Sequence, residues 1–569
     1  MHDLVIRGGT VIDGTGAPAR TADVAVTDGV VTEVGAVDGR AEVEIDADQR
    51  LVLPGWVDIH THYDGQAVWD PWLTPSSWHG VTTTVFGNCG VGFAPVRPGQ
   101  EDFLINLMEG VEDIPGSVLA EGLDFDWESF PAYLDALDRS PHVIDFGAQL
   151  PHGALRFYVM GERGADHRAV PTDAEITTMA RLAGEAIEAG ALGFSTSRTT
   201  KHKAADGRPT PSLSAGDPEL AAIADALRRA CAGVIQCNSD FGPGEVELLT
   251  EMGRRSGRPV SLLLLQVDNA PDRWRLTLDG IHRANRDGVS MTGQVGCRPI
   301  GVMMGLDVTV NPFGQHPAYR AVADLPLPER AAALSAAGPV RRALIEKQPD
   351  DDFTRWMTTA VPRSYELGDP PDYEPDPARS LGARAEASGT SVWELALDLL
   401  CQDGGRNLLL HPFENYTAGN LDAIREMLLD PHTICGIGDG GAHVSTICDA
   451  SYPTTLLTHW GRDRARGEGI PLEFLVNKQT RATATTFGLH DRGALVPGLR
   501  ADVNIVDFDE LSVTPPRVAY DLPAGGRRLV QHSRGYAHTF VAGVEVARDG
   551  EHTGALPGRV VRGAQRPRS

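Results

Sequence analysis

Lysine is nearly absent. The chain has 569 residues but only four lysines (Lys201, Lys203, Lys347, Lys478), so most of its 51 basic side chains are arginine. Cysteine is sparse too. The seven cysteines (89, 231, 237, 297, 401, 435, 448) are scattered, odd in number and never two residues apart in a CxxC pair. That excludes a disulfide framework and fits reduced thiols in the cytoplasm. No apolar run approaches the length of a membrane span. The opening residues, MHDLVIRGGTVIDGTG, lack the basic stretch, apolar stretch and small-residue cleavage site of a secretory signal, which also points to the cytoplasm. Positive charge is in deficit. The net charge of -26 argues against nucleic acid or an anionic membrane as partner. A repeat of fixed period is lacking as well, which excludes a solenoid or propeller.

What is present is enough for a large core. Apolar residues make up 41%, and the length suits a large barrel with a smaller satellite. Residues 2–57 read as short strands split by turns, and so do RADVNIVDFD and HTFVAGVEVARDG near the other end. Chain ends often meet in space, so residues 1–57 and 490–569 are expected to build one composite β-sandwich. Between them strand and helix alternate. VDIH, TTTVFGN, VIDFGAQL, ALGFSTS, GVIQCNS, VSLLLLQ, VSMTGQV, NLLLHPF and TICGIGD are strand-like, and helices such as DAEITTMARLAGEAIEAG separate several of them. Such alternation predicts an α/β (β/α)8 barrel over 58–489. Nine candidates compete for eight places, so one is an extra strand. A stretch rich in Pro, Asp and Arg, from about 307 to 385, breaks the rhythm and reads as an insertion over the mouth.

The strongest local signal is VDIHTHYD. His60 and His62 lie two apart on a strand, so both imidazoles point to one side. At the C-terminal end of a barrel strand they make half of a divalent-metal site. Two polar histidines at a strand end is the bland alternative; the surrounding LVLPGWVDIHTHYD weighs against it. Cys89, in GNCG, ends an apolar strand between Gly87 and Gly90, where backbone approaches an ion closely. Otherwise it is a small buried hydrophobe. Asp439, in IGDGG, follows an apolar strand; its plain reading is a turn or N-cap.

The segment LVLPGWVDIHTHYD resembles the first barrel strand of the amidohydrolase superfamily. LVIRGGTVIDGTG resembles its N-terminal β segment and GLRADVNIVDFD its C-terminal return. HGVTTTVFGNCGVGFAP, PHGALRFYVMG, GALGFSTS and IGDGGAH resemble, in order, the D-aminoacylase branch, the N-acyl-D-amino-acid deacylases. The resemblance covers nearly the whole chain. It implies metal-dependent hydrolysis of an amide in a small molecule. It makes His60 and His62 metal ligands and Cys89 the thiolate that replaces the superfamily's usual carbamylated lysine. Asp439 becomes both ligand and general base. A thiolate suits zinc. Lys201 is the fallback bridging ligand. Assembly into a homo-oligomer is compatible with all of this.

The chain also departs from that branch. Asn238 stands where the fifth strand should bring a histidine, and the sixth strand, VSLLLLQVDN, brings none. One metal per chain is therefore expected, with Asn238, Cys237, Asp240 and Gln266 as the available substitutes at a second position. Cys237 reads as a core thiol. The Arg after the last-strand Asp and the Tyr of the seventh strand, which hold the substrate carboxylate in that branch, are missing; Arg298 is the alternative anion binder. His152, His411 and His443 follow strands or the Asp439 motif and are candidates to face the substrate. His202, between two lysines, is expected in solvent. Trp69, Trp72 and Trp78 either line the mouth or pack. Two other readings remain: a lyase or isomerase on the same barrel, and a binding protein that has lost catalysis.

Overall fold

The computed structural model describes residues 1–567. Eight parallel strands follow one another around a barrel: β1 (Trp56–Asp58), β2 (Val81–Phe86), β3 (Asp145–Pro151), β4 (Gly193–Arg198), β5 (Val234–Ser239), β6 (Val260–Leu263), β7 (Met291–Val295) and β8 (Thr433–Cys435). The strands are buried almost throughout. VTTTVF of β2 is buried at every position, as a parallel strand covered on both faces must be. The ring closes just beyond β1 and β8. There Thr61 bridges Gly440, Asp439 N–H donates to His60 O (2.9 Å), and His62 N–H donates to Gly440 O (2.7 Å).

Local signals set the helices between strands. Helix Asp173–Ala189 opens with a capping box: the Thr172 hydroxyl accepts from Glu175 N–H while the Glu175 carboxylate accepts from Thr172 N–H. It stops at Gly190, which takes the left-handed φ of 115°. The ninth strand candidate, NLLLHPF, is the extra one. As Leu409–Glu414 it sits in the middle of a separate antiparallel sheet, between Ile300–Met304 and Tyr365–Glu366. A short buried apolar run reads alike in either setting. This sheet and the helices between β7 and β8 share a core that includes Met304, Leu334, Met357, Leu397 and Leu409.

The two ends of the chain meet in one nine-stranded sheet. Leu51–Pro54 lies between His2–Val11, which it joins in parallel, and Val503–Val506, which it joins antiparallel with Val52 opposite Ile505. No helix among the described residues is long and apolar enough to cross a membrane.

Beneath the barrel, Arg492 ties the C-terminal segment to the start of β3. Its guanidinium donates to Asp145 Oδ2 (2.8 Å), Thr83 Oγ1 (2.8 Å) and Asp491 Oδ1 (2.8 Å), and Arg492 and Asp145 are both fully buried. Removing one partner of a buried pair strands the other's charge. Arg492→Leu is expected to cost about 3 kcal/mol, the lower end of the usual range, because Arg500 still donates to Asp145 Oδ1 (2.9 Å). Denaturant unfolding measures this; an unchanged midpoint and slope would remove the network from the stability of the barrel.

Candidate metal centre

The closing seam carries the site. His60, His62 and Cys89 each present one donor atom, and the three lie within 4.8 Å of one another, all buried. His60 Nε2 is 3.4 Å from Cys89 Sγ and 3.5 Å from Asp439 Oδ1; His62 Nε2 is 3.8 Å from the same oxygen. Two parallel pieces of chain put them there: the run leaving β1 carries both imidazoles, and the run leaving β8 carries the carboxylate.

The supporting contacts fix the tautomer. Gln294, on β7, gives its amide N–H to Ser261 Oγ (2.9 Å), so its Oε1 faces His60 and accepts from Nδ1 (2.6 Å). With the proton on Nδ1, the Nε2 lone pair points at Cys89 and Asp439, an arrangement typical of metal-ligating histidines. Cys89 is held by its backbone N–H, which donates to Gln236 Oε1 (2.9 Å). The flanking glycines serve packing rather than approach to an ion. A Cβ on Gly87 would lie 2.2 Å from Gln149 O, and one on Gly90 would lie 2.8 Å from Ser197 N. Cys89, Asp439 and His443 all hold positive φ (54°, 47° and 48°), a strain that gathers at functional sites.

The electrostatics ask for a cation. Burial raises the Asp439 carboxyl well above its ordinary range, and Asp449 and Asp58 add to it. Burial likewise raises the Cys89 thiol, helped by Glu112 and Asp439. Burial pushes His60 down to about 4. Two neutral imidazoles, a thiol and a carboxylate that repel extra negative charge would suit a divalent metal. A bound cation reverses each of the acid shifts. The residues fit the group.

The structure does not bring every candidate together. His152 is fully buried behind the barrel wall, between Thr196 Oγ1 and Glu219 Oε1 (2.9 Å each). It begins a helix, and its ring turns to the neighbouring helix. His411 lies on the separate antiparallel sheet, edge-on to Trp356 at 6.0 Å. Arg298 is fully buried and turned to other partners. It stacks 3.6 Å over Tyr373 and donates to Thr455 Oγ1 (3.0 Å) and Cys448 O (2.9 Å), with Asp449 alongside. None of these three lines the cavity over the metal donors, whereas His443 does. Trp72 and Trp78 stack on His552 and His532 of the C-terminal segment (4.6 and 4.1 Å) instead of lining the mouth. His202 was expected in solvent, yet it lines the cavity, with Nδ1 against Ser197 Oγ (3.1 Å) and Nε2 near Asn238 Nδ2 (3.2 Å).

Of the substitutes at a second position, Asn238 lines the cavity with its amide 3.7 Å from Cys89 Sγ. Cys237 is buried, and Asp240 is occupied by the Thr199 and Thr200 hydroxyls (2.6 and 2.7 Å). Gln266 does not line the cavity. Lys201 lies at its edge, ion-paired with Glu414.

The cavity holds about 300 Å³. Leu263, Leu265, Ile300, Val302, Phe413 and Ile447 make its apolar wall, and among the described residues Lys201 is its one Lys or Arg. A buried acid that no motif marked, Glu112, also lines it. The signal was in the sequence. Glu112 follows Leu104, Met108 and Val111 on the buried stripe of helix α1 (Glu101–Glu112), a place where an acid is out of pattern.

Comparisons with known proteins agree with the barrel fold. The sequence profile described as "Amidohydrolase family" matches residues 43–547. An N-acyl-D-glutamate deacylase of Alcaligenes xylosoxydans xylosoxydans is 29% identical, over 98% of this chain and 96% of its own. An uncharacterised protein of Mycobacterium tuberculosis is 30% identical, over 97% and 93%. The crystal structure of N-acyl-D-glutamate deacylase from Bordetella bronchiseptica, complexed with zinc and a phosphonate inhibitor, is 26% identical with a TM-score of 0.64, covering 99% of both chains. With the profile matched over most of its length, the chain belongs to the amidohydrolase family and is a metal-dependent hydrolase of carbon–nitrogen bonds other than peptide bonds.

Proposed function

We propose that the protein holds one zinc ion per chain through His60, His62, Cys89 and Asp439, and hydrolyses an N-acyl amide whose recognised part is bulky and uncharged. The observation that carries the reading is the three-donor cluster at the barrel seam, with Asp439 Oδ1 beside both imidazoles on the floor of an apolar cavity. Imidazole and thiolate donors favour zinc. Seven free thiols fit a reducing, cytoplasmic setting.

The bound cation supplies Lewis acidity, which acidifies water and polarises a carbonyl. The chain's own residues do the rest. Gln294 keeps His60 in the ligating tautomer. Asp439 accepts the proton of the attacking water and returns it to the leaving nitrogen as the tetrahedral carbon collapses. The apolar wall excludes bulk water and seats the uncharged part of the substrate.

The substrate preference follows from the cations. Arg298 is locked away and Lys201 is neutralised by Glu414, so the cavity offers a substrate carboxylate no free partner. Burying a charge without its partner costs about 3–5 kcal/mol, which is hundreds-fold or more in kcat/KM. Small N-acetyl-D-amino acids such as N-acetyl-D-methionine are expected to be turned over that much more slowly than amides with a large uncharged group. Steady-state kinetics on a panel of the two kinds tests it. Efficient hydrolysis of N-acetyl-D-methionine would overturn the preference, and no hydrolysis of any amide by zinc-loaded protein would overturn the function.

A further inference from the structure

We infer that Glu112 is a positioning residue of the metal centre: its carboxylate holds His62 in the metal-binding orientation and tautomer, as the Gln294 amide does for His60. The inference rests on reading His62 as a ligand through Nε2.

Glu112 is 1% exposed, and neither of its carboxylate oxygens has a hydrogen-bond partner; nor does His62 Nδ1. Yet Glu112 Oε1 stands 3.2 Å from His62 Nδ1, and Glu112 Oε2 stands 3.5 Å from His443 Nε2. A buried carboxylate without donors is among the least tolerable groups in a protein interior. So many unsatisfied atoms in one place mean that an interaction is waiting to be made. The chemistry of a ligating imidazole supplies it. When Nε2 gives its lone pair to an ion, the proton must sit on Nδ1 and needs an acceptor. Glu112 is the acidic side chain within 4.0 Å of that nitrogen among the described residues.

The backbone shows that the placement is built. Glu112 is the last residue of α1, and its carbonyl accepts from His443 N–H on the run that carries Asp439. The next residue, Asp113, takes a left-handed turn (φ 53°), and its carboxylate accepts from Thr446 Oγ1 (2.6 Å) and Thr309 Oγ1 (3.0 Å). On the other side of the helix, Ala205 N–H donates to Asn106 O (2.9 Å), and a Cβ on Gly110 would lie 2.2 Å from Ala204 C. The helix end is pinned on two sides, and the Glu112 side chain is buried there.

A carboxylate on the far nitrogen raises the basicity of a ligating imidazole, and losing such a partner typically weakens metal binding about 10- to 100-fold. The test is zinc affinity by competition with a chromophoric chelator, together with the visible absorption of the cobalt-substituted protein. It is run on wild type, Glu112→Gln, Glu112→Ala and His62→Ala. Glu112→Gln keeps the shape and one acceptor oxygen but loses the charge. It is expected to bind zinc about tenfold more weakly, with Glu112→Ala weaker still, and both should shift the cobalt bands. A purely structural Glu112 would lower the unfolding midpoint and leave the affinity and spectrum of the folded Gln variant unchanged; that result overturns the inference. His62→Ala separates the failures. If it too keeps wild-type affinity, the ligand reading of His62 falls; if it loses affinity while Glu112→Gln does not, only the role of Glu112 falls.

Discussion

Asp439→Asn is expected to lower kcat by about a hundredfold or more, the range general acid–base catalysis contributes. Asparagine is isosteric and keeps an oxygen for the ion, so the fold and much of the bound metal should survive. What it cannot do is carry a proton from water to nitrogen. On the proposed reading that task falls to Asp439. Glu112 is tucked beside His62 Nδ1, and His443 faces Glu112. KM should change less than kcat, because the carboxylate acts on the reacting atoms and not on the apolar recognition wall. The measurements are steady-state kinetics, zinc content and circular dichroism on one preparation. A folded, zinc-loaded Asn variant with near-normal kcat would take Asp439 out of the proton path.

Removing the metal should have the larger effect. A zinc ion lowers the pKa of water from 15.7 to about 7, which makes water a nucleophile at neutral pH. Dialysis against a strong chelator is expected to abolish turnover. Titration with zinc should restore it in proportion, with the plateau at one equivalent per chain. The single equivalent follows from the second position. The chain places Asn238 there, and the alternatives are buried or already hydrogen-bonded. Two tightly held ions at full activity would mean that Asn238 and the cavity-facing His202 had rebuilt the second position. Activity that survives metal-free would sink the metal-dependent mechanism altogether.

The parts of the site that were legible in the sequence are those whose geometry is local. Two histidines in alternation on a strand share a side wherever the strand goes. Cys89 and Asp439 each end an apolar run with glycines beside them, and barrel strands deliver their ends to one rim. His152, His411 and Arg298 show the limit of that logic. His152 and Arg298 follow barrel strands, and beyond a strand end side-chain direction is set by neighbours in space, Glu219 for His152 and Tyr373 and Cys448 for Arg298; His411 lies within a strand of the separate sheet, beside the Trp356 ring. His202 fails in the opposite sense. Charged neighbours in sequence suggested water, while the chain fold turns its ring to the cavity. The barrel was legible from its alternation, and the ninth strand was not, because burial alone does not say which sheet buries it.

The seam that closes the barrel also has a meaning in time. His60, His62 and Cys89 are made early in synthesis; Asp439 and the residues that bridge to His60 and His62 come after most of the chain. The strand just before the barrel, Leu51–Pro54, waits longer still for its antiparallel partner, Val503–Val506. Contacts that distant form slowly, because the loop between them must be ordered first. The nascent protein therefore carries His60, His62 and Cys89 on an open-edged sheet until the run with Asp439 arrives. The proposed site and the sheet are thus completed in two steps, and an N-terminal fragment that stops short of Asp439 lacks the carboxylate of the proposed site.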